Sequence, residues 1–118
     1  MISIFLILAS GISDRDLNAK MMYIQSYVAP AIFDVCKAEI PERSDSYDEA
    51  LIKWQATNKA AISHGRKISY AQESRASLKS DTYPKKQRDA KVAELKALPK
   101  PEQIKQCEFW LVWIRSQS

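Results

Sequence analysis

Glycine, cysteine and histidine are scarce in this sequence. Its 118 residues include two glycines, two cysteines and one histidine. Folds that need glycine at many turns, bulges or phosphate-binding loops are poorly supported, and a dinucleotide-binding domain is excluded. Hydrophobic residues make up 46% of the chain and charged residues 27%, a composition typical of a globular protein rather than of a disordered or integral membrane protein. We therefore expect one compact, mostly helical domain.

Ionisable side chains are missing from the first thirteen residues, which contain an apolar run made of Ile2, Ile4, Phe5, Leu6, Ile7 and Leu8. The run is too short to cross a bilayer as a helix, which needs about 20 apolar residues. Its length suits a secretory signal peptide, although no basic stretch precedes it. We expect residues 1–13 to be a signal peptide and residues 14–118 to be a single helical domain, periplasmic or secreted. A first helix or strand packed into the core is the alternative.

The two cysteines are far apart in the sequence. Cys36 and Cys107 lie on segments that both have helical patterns. In an oxidising compartment, a cross-link between them contributes roughly 4 kcal/mol of stability on the chain-entropy account. We therefore expect a Cys36–Cys107 disulfide, with two buried free thiols as the alternative.

Four helices are predicted from apolar residues that recur every three or four positions and so share one helix face. The first begins at Ser13 or Asp14, ends near Ala38 and contains Pro30. The stripe that we expect to face the core consists of Leu17, Met21, Ile24, Val28, Ala31 and Val35.

The second predicted helix is long. It begins between Ser44 and Ser46 and ends near Ser77, and Asn58 and Gly65 interrupt its apolar seam. A seam residue that is small or polar indicates a close approach of two helices or a satisfied polar contact.

The third predicted helix has Pro84 in its first turn and the fourth has Pro101 in its first turn, a position that proline suits. Their core-facing residues are Val92, Leu95 and Leu98 in the third helix and Ile104, Cys107, Leu111 and Ile114 in the fourth. Short polar turns join the four segments. The sequence therefore predicts an all-α fold, an antiparallel four-helix bundle closed by the Cys36–Cys107 disulfide.

A loose motif, Tyr-x-x-Ala-x-x-x-Trp-x-x-x-Asn, lies between the two cysteines. It is formed by Tyr47, Ala50, Trp54 and Asn58. With its early and late cysteine, the chain resembles small uncharacterised exported (periplasmic) α-helical proteins of Gram-negative bacteria. The resemblance covers residues 36–107. It implies a periplasmic location and a helical fold, and it implies no activity.

Catalytic chemistry is poorly supported. A set of Ser63 or Ser69 with His64 and Asp34 would supply nucleophile, base and acid, but no glycine-flanked nucleophile turn occurs. The two cysteines and His64 lack the paired close spacing of a zinc site. We therefore expect no enzymatic activity, no metal and no cofactor.

Charge is distributed unevenly along the chain. Residues 31–52 carry six acids and two bases, a balance of −4, whereas residues 75–100 carry eight bases and three acids, a balance of +5. Such a dipolar charge distribution can steer a charged partner. Residues 109–114 are apolar on every side of a helix. This segment is therefore either buried in the centre of the fold or presents tryptophan at a surface. The partner-binding residues predicted from these two features are Lys85, Lys86, Arg88, Lys91, Trp110 and Trp113.

These patterns favour a small periplasmic protein-binding module, of which an inhibitor or immunity-type protein is one form. The alternative is a helical bundle that binds an apolar small molecule or lipid. The expected partner is another protein rather than a nucleic acid, because Tyr83 is the only aromatic residue interleaved with the basic segment. An anionic membrane surface and a solvated basic face without any partner are the remaining alternatives.

Overall fold

The computed structural model describes residues 13–73 and 81–118 of the chain. These residues form five helices and contain no strand: α1 (Asp14–Glu39), α2 (Ser44–Thr57), α3 (Lys59–Glu73), α4 (Thr82–Ala97) and α5 (Lys100–Ser116). A 3₁₀ turn, Pro41–Arg43, joins α1 to α2. The predicted all-α fold is confirmed. Residues 1–12, on which the expected signal peptide falls, lie outside the described residues.

Helix α1 begins where the sequence predicts. The Ser13 hydroxyl accepts a hydrogen bond from the Asp16 amide at 3.1 Å, which satisfies one of the free N–H groups at the helix start. Pro30 lies inside the helix, as expected, and α1 ends at Glu39. Helix α1 packs against each of the other four helices. It is therefore the central element of the fold.

The apolar stripe predicted to face the core is partly wrong. Leu17 is 40% exposed and Met21 is 47% exposed, whereas Val28 is buried. The residues that α1 buries include Ala29, Ile32, Phe33 and Cys36. Because four helices pack against α1, its buried surface is wider than a single stripe of residues. The predicted stripe lies along the edge of this buried surface. Its first two members face solvent.

The second predicted helix is two helices, α2 and α3, with the break at Asn58. The Asn58 side-chain amide donates to the Trp54 carbonyl at 3.0 Å and to the Gln117 carbonyl at 2.9 Å. This polar contact was expected, but its partner at the end of α5 is far away in sequence. The single long helix is therefore wrong. Its predicted end near Ser77 lies outside the described residues.

Gly65 marks a close approach of α3 to α1, as the sequence predicts. A Cβ atom at this position would overlap the Ala19 carbonyl group and would lie 2.9 Å from the Tyr23 Cβ. Only glycine allows the two helix backbones to pack at this separation.

The predicted disulfide is confirmed. Cys36 and Cys107 are bonded with a Cα–Cα distance of 5.6 Å, and they join α1 to α5. Both cysteines are fully buried. The core around them contains Leu95, which is buried, and Val92 and Leu98, which pack against it. These residues of α4 face the core as the sequence predicts.

The core also contains the polar atoms of two large aromatic side chains. Tyr47 and Trp54 are fully buried. Among the described residues, neither the Tyr47 hydroxyl nor the Trp54 Nε1 has a hydrogen-bond partner. Burial raises the pKa of Tyr47 above its ordinary value of 10.0. Its ring packs on Phe33 with centroids 4.9 Å apart.

A candidate binding groove between helices α4 and α5

Helices α4 and α5 both pack on α1 but make few contacts with each other. A hollow of about 510 Å³ opens between them. Its floor is α1, which contributes Met21, Ile24 and Val28. These three residues are the second, third and fourth members of the stripe predicted from the sequence. The exposed edge of that stripe is therefore the floor of a groove.

The α5 wall of the groove is aromatic. Trp110 and Trp113 are half-buried, and their rings pack edge to face with centroids 5.7 Å apart. Trp113 also packs on the buried Trp54, with ring centroids 6.3 Å apart. Phe109 lies beside them and is 64% exposed. The wall thus combines rings that are anchored in the core with one ring that is presented to solvent.

A second hollow of about 370 Å³ continues the first. Lys91, Phe109 and Trp110 line both hollows, and Ile32 adds the next turn of α1 to the floor. From Met21 to Ile32 the floor is about 16 Å long, at 1.5 Å per helical residue. We call the two hollows together the α4/α5 groove.

Helix α4, which forms the other side of the groove, is basic as a whole, and the charged residues that it contributes to the lining are Lys91 and Glu94. Helix α4 has five basic and two acidic residues. Lys91 lines the groove and is 3.4 Å from Glu94. Lys85 and Arg88 lie elsewhere on α4 and pair with Asp81 and Asp89, and Lys86 forms no ion pair with any described residue. Because exposed pairs contribute little energy, a stronger acidic partner could displace them.

The partner-binding residues predicted from the sequence include two of the aromatic residues that line the groove and do not include two others. Trp110 and Trp113 lie in the groove with Lys91. Tyr83, which is 51% exposed, and Phe109 were not selected. The sequence features that could have identified them are the position of Tyr83 among basic residues and the position of Phe109 at the start of the all-apolar segment. Met21 was assigned to the core because its spacing fits that stripe.

The residues weighed for catalysis are placed apart. His64 Nε2 lies 2.8 Å from Asp16 Oδ1 and so joins α3 to the first turn of α1. Asp34 pairs with Lys37 at 3.4 Å, so it is not the partner of His64. Both cysteine sulfurs are used in the disulfide. Within the described residues, no three histidine, cysteine or acidic side chains come together as metal ligands.

None of the described helices has the length and the apolar character needed to cross a membrane. No protein family, no curated protein and no solved structure matches this chain. Among the described residues, the α4/α5 groove combines concave shape with exposed aromatic side chains.

Proposed function

We propose that this protein is a helical binding module that acts outside the cytosol and holds an apolar segment of a partner protein in the α4/α5 groove. The observation that carries this proposal is the cluster of exposed or half-exposed apolar side chains in one concave surface: Met21, Tyr83, Phe109, Trp110 and Trp113. A contiguous apolar surface of this kind marks an interaction site more often than isolated exposed residues do. Tryptophan and tyrosine are also enriched among the residues that dominate binding energy.

The shape and charge of the groove favour an amphipathic helix with acidic residues as the partner segment. A floor of about 16 Å matches three turns of helix, and an apolar helix face laid into an apolar groove is a common recognition mode. The basic α4 side would face the polar side of that helix. Acidic residues there would complement Lys91 and the net positive charge of α4 and would speed association. An inhibitor or immunity-type protein would act by occluding such a segment of its target.

The proposed location is supported by the disulfide. Cys36 and Cys107 are bonded and fully buried, and disulfides persist chiefly in oxidising compartments such as the bacterial periplasm. The expected signal peptide supports the same location.

The test is a titration with a synthetic amphipathic helical peptide whose polar side is acidic, followed by tryptophan fluorescence. We expect binding that Phe109→Gln weakens about tenfold, as loss of an interface anchor does. The matched control is Ile52→Gln on α2, because Ile52 is 66% exposed and lies outside the groove lining. Equal affinities of the two variants would contradict the proposal.

A second candidate is an apolar small molecule or lipid in the same groove. Its volume of about 510 Å³ falls within the range of about 300–1,000 Å³ typical of ligand pockets. Native mass spectrometry of protein isolated from its host separates the two candidates. A bound small molecule of fixed mass, lost in Phe109→Gln, would favour the lipid over the protein segment.

A further inference from the structure

A separate hollow of about 430 Å³ lies where α1, α2 and α3 meet. The residues that line it are Tyr23, Ser26 and Tyr27 of α1, Gln55 of α2, and Lys59, Ile62, Ser63 and Arg66 of α3. Three helices therefore contribute to it, and it shares no residue with the α4/α5 groove. Its lining is rich in hydrogen-bond donors and includes two cations and no carboxylate.

The two cations are not neutralised by the described part of the chain. Lys59 and Arg66 form no ion pair with any described residue. The Arg66 guanidinium lies 5.1 Å from the centre of the Tyr70 ring, and its Nη2 donates weakly to the Tyr70 hydroxyl at 3.4 Å. A guanidinium has five N–H donors in a rigid fork. The ring contact thus orients Arg66 while most of its donors stay available.

The positions on α3 bring the donors to one face. Lys59, Ser63 and Arg66 are spaced four and three residues apart, so they are neighbours on the helix surface. An adjoining hollow shares Ser63 and Arg66 and adds Lys67 and Tyr70. From residue 59 to residue 72 the sequence contains no acidic residue. Residues 59–72 of α3 therefore have a local excess of positive charge.

We propose that this hollow binds a phosphorylated sugar. The phosphate would accept charge-assisted hydrogen bonds from Arg66 and Lys59, the pairing for which a guanidinium fork is best suited. The sugar hydroxyls would meet the Gln55 amide and the Ser63 hydroxyl, which can both donate and accept. The Tyr27 ring, half-buried and held edge to face against Tyr23 at 5.5 Å, would form the apolar wall. This site is independent of the proposed function in the α4/α5 groove.

The test is an amide NMR titration of the full chain with glucose 6-phosphate. We expect chemical-shift changes in residues 59–66 and binding that is weaker for glucose and for inorganic phosphate alone. The double variant Lys59→Gln/Arg66→Gln should bind at least about tenfold more weakly, because both charge-assisted hydrogen bonds to the phosphate are lost.

The control is the double variant Lys53→Gln/Lys105→Gln, which removes the same charge from exposed positions outside this hollow. It should keep the wild-type affinity for glucose 6-phosphate. Equal weakening in the two double variants would mean non-specific attraction and would overturn the proposal. Equal affinity for inorganic phosphate, or shifts confined to other helices, would overturn it as well.

Discussion

The ring of Trp113, in the wall of the α4/α5 groove, packs against the ring of Trp54, in the core, with centroids 6.3 Å apart. Trp54 is fully buried, and a fully buried side chain is held in one rotamer by close packing. The groove wall is therefore anchored to the core of the fold. For the proposed partner segment, the part of the wall formed by Trp113 is already in place, so binding loses little free energy to ordering of that side chain.

Because α3 approaches α1 closely at Gly65, we predict that Gly65→Ala lowers the free energy of unfolding. Helix propensity alone would predict the opposite change. Gly65→Ala should destabilise the protein by about 1–3 kcal/mol or more, because the added Cβ would overlap the Ala19 carbonyl and α3 must move away from α1. Propensity alone predicts a gain of up to about 1 kcal/mol. Urea unfolding measures the change. Ala93→Gly, at an exposed position in the interior of α4, is the control and should cost about 1 kcal/mol. A stabilised Gly65→Ala variant would refute the close approach.

We predict that the disulfide contributes a large part of the free energy of unfolding and that this part is lost on reduction. Reduction, or the double variant Cys36→Ala/Cys107→Ala, should lower the free energy of unfolding by about 2–5 kcal/mol, because the bond closes a long loop between residues 71 apart in sequence. Urea midpoints with and without reductant measure this loss. The double variant serves as the control, since reductant should leave its midpoint unchanged. An oxidised and a reduced protein with equal midpoints would contradict the prediction.

We predict that ionisation of Tyr47 lowers the stability of the protein at high pH. Its pKa is raised in the folded state by burial, whereas an unfolded tyrosine ionises near pH 10. The folded state therefore binds the proton more tightly, and the stability from the neutral phenol is present below about pH 10 and is lost as the pH rises above it. Tyr47→Phe removes this dependence.

The same variant tests the unpartnered hydroxyl. At neutral pH, Tyr47→Phe should be as stable as the wild type or more stable, because a buried hydroxyl without a partner costs free energy that phenylalanine avoids. Thermal unfolding at pH 8 and at pH 11 gives both comparisons. A variant that is clearly less stable at pH 8 would show that the hydroxyl has a favourable partner. A variant that loses as much stability as the wild type at pH 11 would show that ionisation of Tyr47 does not cause the loss.

Two substitutions of Asn58 should lower the stability by different amounts. Asn58→Ala should cost about 1–2 kcal/mol, because the hydrogen bonds to the Trp54 and Gln117 carbonyls are lost. Asn58→Asp should cost more, because its carboxylate oxygens would face two acceptors without a donor between them. Urea unfolding ranks the two variants. If Asn58→Asp were as stable as the wild type, the amide would not donate to both carbonyls.

Local sequence pattern was enough to predict most of the helices. The Ser13 cap, the prolines at the starts of α4 and α5, and the three- and four-residue spacing of apolar residues act within a few positions of the chain. The break at Asn58 could not be predicted in this way, because the carbonyl that it binds belongs to Gln117, 59 residues later. Local patterns contain no information about such a contact.

The candidate site was predictable only in part, for a related reason. The all-apolar segment at residues 109–114 left two alternatives, a centrally buried segment or tryptophan at a surface, and Trp110 and Trp113 are half-buried and line the groove. Whether Met21 is buried depends on how closely α4 approaches α5, and the spacing of apolar residues on α1 does not determine that separation. Exposure of Met21 follows from the packing of three helices.

Site-specific photo-crosslinking in the native host tests the central claim most directly. A photo-reactive amino acid at position 109 places the probe in the α4/α5 groove, and the same amino acid at position 52 places it on an equally exposed residue of α2. The account predicts one discrete protein adduct from position 109, none from position 52, and loss of the adduct when the acidic amphipathic peptide is added. The same adducts from both positions, or none from position 109, would contradict it.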